Sequence, residues 1–177
     1  MNRERTCAMR ISDVRAIARS LPYEDPDWKV ATGAISEARM VFVEIVSDTG
    51  VVGEGCTSSG APFISGESVA SIVNMIEAVF SKLIISRSPH DIEDIMGQLD
   101  KAAFMNYPAK AGIYLALHDL VGKILGISAQ RFIGSSQKRP ISVMRLIGLK
   151  EPKAITTDAA AFIDQRFKTL KIKSATN

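Results

Sequence analysis

The apolar residues of this 177-residue chain change their spacing near residue 65, and that switch constrains the fold more than any single motif. Before it, Met40 to Val46 is dense in Val, Ile and Phe, and Ser47-Asp48-Thr49-Gly50 is a turn signal. Val51-Val52-Gly53-Glu54-Gly55 then reads as the return strand of a hairpin. Residues 10–19 mix polar and apolar positions, and a polar loop with Pro22, Pro26 and Gly33 runs to about residue 37. After the switch, apolar residues recur every three or four positions. Val69, Ile72, Val73, Ile76, Val79, Phe80 and Leu83 form a stripe that Ser65 can cap. Ser88-Pro89 reads as the start of a second helix, with Ile92, Ile95, Met96 and Leu99 on its face. Pro108 opens a third, carrying Ile113, Ala116, Leu117, Leu120, Val121 and Ile124, and Gly126 stops it. Strands first and helices afterwards predict an α+β domain of antiparallel strands followed by a helical bundle.

A second change comes near Pro140. Ile141 to Ile147 reads as a short apolar strand, residues 151–166 as a helix, and Thr169 to Lys173 as another strand. This is one βαβ unit, the building block of parallel sheets. Such sheets are normally buried on both faces, so a domain over residues 138–177 is expected to be started and not finished, after a first domain over residues 1–137.

Composition narrows the function classes. No apolar run approaches the ~20 residues that span a bilayer, which predicts no membrane partner. The N-terminal residues lack a signal-peptide core, and Cys7 and Cys56 are too few for a disulfide framework or a zinc site, so a cytoplasmic setting is expected. Residues 138–177 hold nine Lys/Arg against three Asp/Glu, yet no aromatics are interleaved for base stacking, and no nucleic-acid partner is expected. The Gly50 to Gly55 stretch lacks dinucleotide spacing, and Glu54 would repel a phosphate. His118 and Asp119 fall inside a helix pattern and are expected to make structural bonds, while Cys56 and Ser58-Ser59 have no neighbouring histidine to activate them.

Lys171-Ile172-Lys173 carries the chemistry. On a strand, residues two apart point to one face. Two ammonium groups held side by side cost more to protonate together, which is a route to a lysine that works as a general base.

These pieces, in this order, resemble the enolase superfamily, in its mandelate racemase and muconate lactonizing enzyme group. Gly50 to Gly55 with Pro62 and Gly66-Glu67-Ser68 is similar to the family's hairpin and mobile loop. Pro108 to Lys123 resembles its signature helix, and Phe167 to Lys173 its catalytic strand. The sequence departs from the family pattern at Ala175 and at Arg166, where glycine is usual. The resemblance implies an N-terminal capping domain followed by the first βαβ unit of a truncated (β/α) TIM-type barrel. It implies removal of the proton alpha to a carboxylate, in a racemase, epimerase, cycloisomerase or dehydratase, with Mg²⁺ stabilising the enolate. Lys173 would be the base and Lys171 its neighbour, at the C-terminal ends of barrel strands. Tyr23, Trp28, Ser59 and Phe63, on the loops that close over the site, would bind a small-molecule carboxylate. A homo-oligomer is expected.

No Asp or Glu follows Lys171, so the carboxylates that hold Mg²⁺ are not expected in these residues, and the chain alone is expected to hold no metal and to be inactive. Two alternatives stay open: a non-catalytic capping or assembly module, and one half of a split enzyme.

Overall fold

The computed structural model describes residues 9–25, 28–30, 33–58, 65–135 and 139–174. In chain order its strands are β1 (Ile11–Pro22), β2 (Lys29–Val30), β3 (Gly33–Ala34), β4 (Glu37–Ser47), β5 (Val52–Ser58), β6 (Met144–Ile147) and β7 (Thr169–Ile172). Its helices are α1 (Val69–Asn74), α2 (Ser81–Ile84), α3 (Ile92–Ala102), α4 (Tyr107–Leu125), α5 (Ala129–Phe132) and α6 (Pro152–Asp164), with a π-helical segment, Met75–Phe80, joining α1 to α2. The chain divides into two compact units, Met1–Leu21 with Arg39–Ser136, and Pro22–Ala38 with Gln137–Asn177. A break drawn along the sequence at residue 137 does not reveal that residues 22–38 group with the C-terminal part. That grouping comes from long-range bonds that no local pattern announces.

In the first unit β1, β4 and β5 form a sheet in that order. β4 and β5 are antiparallel, with Val43 opposite Gly55 and Ile45 opposite Gly53. Those two glycines explain the Gly-rich return strand. A Cβ at Gly53 would lie 2.3 Å from the Ala116 carbonyl oxygen, and one at Gly55 2.3 Å from that of Gly112. Helix α4 therefore lies directly on the β5 backbone, closer than any side chain allows. Val41, Val43 and Ile45 of β4 point into the core with Ile113, Leu117 and Leu120 of α4. Ile72, Ile76, Phe80 and Ile84 complete it at a four-residue spacing that the π segment does not break.

Helix ends follow the capping chemistry, though not always at the expected residue. Gly66 has φ +72°, which breaks the chain between Ser65 and the helix, so Ser68 is the N-cap of α1. Ser68 Oγ accepts from the Ser71 N–H at 3.1 Å, and Ser71 Oγ accepts from the Ser68 N–H at 2.9 Å. Ser88-Pro89 forms a turn before α3, whose N-cap is Asp91. Helix α4 ends at Gly126, in the left-handed conformation at φ +67°, as the sequence predicts.

In the second unit β2 and β3 form a small antiparallel ribbon inside the stretch read from sequence as a polar loop. The ends of that stretch meet, since the Tyr23 N–H donates to the Ser36 oxygen at 3.0 Å. β6 and β7 are parallel, with Leu146 opposite Lys171 and Ile147 opposite Ile172, and α6 crosses between them in the chain. β6 is shorter than the run of apolar residues before it, because Ile141 and Val143 precede the paired stretch and are exposed. At the end of α6, Arg166 adopts φ +68° and the Phe167 N–H donates back to the Phe162 oxygen at 3.1 Å. This left-handed turn is where the resemblance expects glycine, and the geometry gives the reason: an L side chain there is strained.

Candidate functional site

The second unit brings together most of the residues that carry chemistry. Lys171 lies on β7 and is exposed, and Lys173 follows the strand and is half-buried. Strand alternation puts both on one side. The Lys173 N–H donates to the Ile147 oxygen at 3.0 Å, extending the parallel ladder by one bond. Among the described residues neither ammonium group is in an ion pair.

The segment between β1 and β4 docks at the C-terminal end of β6. The Leu149 N–H donates to the Lys29 oxygen at 2.9 Å. Gly148 sits between them with little room: a Cβ there would lie 3.1 Å from Trp28 Cε3 and 3.3 Å from the Lys29 nitrogen and oxygen. Trp28 is the only tryptophan in the chain, and its ring centroid is 6.1 Å from that of Tyr23. Both aromatics line a cleft of about 520 Å³ with Met144, Leu146, Ile147 and Phe162. Lys171 and Lys173 are on the neighbouring strand and do not line that cleft. Ser59 and Phe63 lie outside the described residues.

Charged groups hold this region together, and sequence reading missed them. Lys150 Nζ is 2.6 Å from Asp25 Oδ2 and 2.9 Å from Asp158 Oδ2, with its side chain only 20 % exposed. The hydrogen bond to Asp25, then that to Asp158, pushes the Lys150 ammonium above the usual lysine range, against the opposing pull of desolvation. Arg145 pairs with Glu24 at 2.7 Å and stacks over the Phe162 ring at 4.8 Å. Lys150 and Asp25, like Arg145 and Glu24, are more than a hundred positions apart along the chain, so no spacing rule could have paired them.

In the first unit the polar candidates are structural. Asp119 Oδ2 accepts the Glu54 N–H at 2.8 Å and pairs with Lys123 at 2.7 Å, and Lys123 also reaches Glu54 Oε2 at 3.0 Å. Asp119 foremost, with Glu54, raises the Lys123 pKa against a smaller opposing effect of burial. The hairpin is thereby bolted to α4. His118 Nδ1 donates to the Tyr114 oxygen at 2.9 Å, and its ring packs between Tyr114 and Phe132. Burial pushes the Cys56 thiol up, which works against a thiolate nucleophile.

A divalent cation needs several oxygen ligands converging on one point. Among the described residues no group of three or more His, Cys, Asp or Glu comes together in that way, and Glu24, Asp25 and Asp158 of the second unit are engaged by Arg145 and Lys150. The described residues therefore do not fit the Mg²⁺ that the resemblance implies. Among them, too, no helix is long and apolar enough to cross a membrane.

Comparison with known proteins places this architecture. A hydrophobic dipeptide epimerase of Enterococcus faecalis is 32 % identical over 168 residues, which are 95 % of this chain and 46 % of the epimerase. An N-succinyl-L-Arg/Lys racemase of Bacillus cereus is 25 % identical over 169 residues, covering 96 % of this chain and 45 % of the racemase. The crystal structure of the dipeptide epimerase from Enterococcus faecalis, complexed with Mg and the dipeptide L-Leu-L-Tyr, matches with a TM-score of 0.87 at 30 % identity. That match covers 94 % of this chain and 46 % of the crystallised one. The chain thus spans about half the length of the curated relatives it matches. Residues 12–134 match the family model for the mandelate racemase / muconate lactonizing enzyme N-terminal domain, and the chain belongs to that group of the enolase superfamily, as its N-terminal portion.

Proposed function

We propose that these residues are the N-terminal portion of an isomerase, an epimerase or racemase, that removes the proton alpha to a carboxylate. In this reading residues 138–177 are the first βαβ unit of a (β/α) barrel. Lys173 is the base on one face of the substrate, and Lys171 beside it offsets the substrate's negative charge. The observation that carries the proposal is the placement of Lys173. It stands at the C-terminal end of β7, bonded to Ile147, and Gly148, the residue after β6, leaves little room for a Cβ beside Trp28. Barrel enzymes work at that end of their strands. Tyr23 and Trp28 would then bind the substrate, and Ser59 and Phe63 are proposed as substrate-binding residues from the resemblance alone. A dipeptide or an N-acyl amino acid is the substrate class, by analogy with what the relatives' names state.

The test is exchange of the alpha proton with deuterated solvent, using dipeptides and N-acyl amino acids in Mg²⁺ buffer. It uses these residues joined to the C-terminal half of the Enterococcus faecalis dipeptide epimerase, the part that they do not cover. Lys173→Ala is expected to lower exchange by about 10³-fold, the scale of a positioned general base. Exchange at the wild-type rate in that variant sinks the assignment. The 177 residues alone are expected to show none.

A second reading has its own observation. Ile141, Val143, Ile163 and Ile172 are all more than half exposed within the second unit, an apolar surface suited to assembly with another chain. Light scattering on the 177-residue chain tests this second reading: a complex with a chain that supplies further strands favours assembly, and a monomer with an ordered C-terminal segment counts against it.

A further inference from the structure

The geometry points to Lys150 as a positioning residue: a single ammonium on the β6–α6 connection that clasps the Pro22–Ala38 segment, through Asp25, to helix α6, through Asp158. Three observations converge on it. Lys150 reaches one carboxylate from each side, at 2.6 Å and 2.9 Å, while its side chain is largely removed from solvent. Its neighbour Leu149 makes the backbone bond to Lys29, so clasp and ribbon meet the same two-residue stretch after β6. The remaining contact, Trp28 against Gly148, is one that persists only while the segment stays docked. Without the ammonium, Asp25 and Asp158 would face each other as like charges and drive the segment off.

The charged groups that line the neighbouring cleft already have partners: Glu24 has Arg145, and Asp25 and Asp158 share Lys150. The Arg145–Glu24 pair is more open, with Glu24 85 % exposed, and contributes little to holding the segment. Lys150 is the stronger of the two ties.

The consequence for catalysis rests on the function proposed above, since only then does the docked segment wall a substrate site. The docking itself does not, and it can be read with no substrate present. Trp28 is the sole tryptophan, so acrylamide quenching of its fluorescence reports docking directly in the 177-residue chain. Lys150→Met is expected to raise the quenching constant at least about twofold, as a locally opened segment exposes the ring. Lys150→Arg, which keeps the charge, is expected to stay near wild type. Asp25→Asn removes the carboxylate of the segment but leaves Lys150 paired with Asp158. It should open the segment with the far-UV circular dichroism unchanged, which keeps the test decisive if Lys150→Met fails to fold. Wild-type quenching in Asp25→Asn, or an arginine variant as open as the methionine one, overturns the proposal. An alpha-proton exchange assay that fails for Lys173 leaves the quenching result standing, so the two ideas fail separately.

Discussion

The two units of this chain are stabilised by different means. The first buries twenty apolar side chains in one cluster, among them Phe80, Leu99, Leu117 and Leu120 at 0 % exposure. In the second, Ile147 is the only buried apolar residue among those described. Its contacts are a short parallel ladder, a ribbon bond to Leu149, and charges shared by Lys150 and Arg145. Apolar burial scales with area and tolerates rearrangement, whereas a charge clasp depends on every partner being present. The first unit should therefore fold as a robust body and the second should loosen first.

Chain composition supplies a clean way to break that contrast. Trp28 reports only the second unit, while most helical signal comes from the first. In urea the tryptophan transition is expected at lower denaturant than the circular dichroism transition; coincident curves would mean one cooperative body. The largest single effect should be Phe80→Ala, at about 3–5 kcal/mol from the circular dichroism transition. Gly55→Ala should follow at about 3 kcal/mol, because the new methyl meets the backbone of Gly112 and Ala116 and neither is a side chain that can swing away. A cost below about 1 kcal/mol would show that α4 can lift off the sheet.

The second unit should respond more gently. Arg166→Gly is expected to stabilise it by about 1 kcal/mol, measured on the tryptophan transition, by relieving a left-handed L residue. A destabilised variant would show that the arginine side chain matters more than its backbone. The clasp also carries a pH signature. Lys150 has its pKa raised by folding, so its contribution is complete below the unfolded lysine value, about 10.4, and fades as pH rises through the folded value. Tryptophan quenching should be flat from neutral pH to about 9 and increase only in the alkaline range above the lysine value, and Lys150→Met should abolish that rise. An equal alkaline rise in Lys150→Met would assign it to another group.

The same contrast governs what was legible in the sequence. Regular packing writes itself locally: Ile72, Ile76 and Phe80 of the stripe and the stop at Gly126 are legible from spacing, as is the hairpin around Ser47 to Gly50, while Ile84, which continues the buried row, is not in the stripe read from the sequence. The Gly53 and Gly55 positions were visible as a motif, but their cause, contact with α4, was not. Capping was mistaken by three residues at both Ser65 and Ser88, where serines satisfy turns instead of helix ends. Of the site, the lysine pair and the aromatic loop were visible as residue types. The clasp was not, since Asp25, Lys150 and Asp158 follow no periodicity and become neighbours only through the fold.

The bond from Tyr23 to Ser36 has a further consequence. It pinches the stem of the segment, so that β1 and β4 enter and leave it as adjacent strands of one sheet, about 4.8 Å apart. A stem so fixed lets the length of the segment vary with little cost to the sheet. Lengthening the insert costs only about 0.6 kcal/mol per doubling of its length, far less than rebuilding a core. A graft of this segment from a relative is therefore expected to spare the sheet but to loosen its docking unless Asp25 goes with it, because Asp25 is the segment's tie to Lys150.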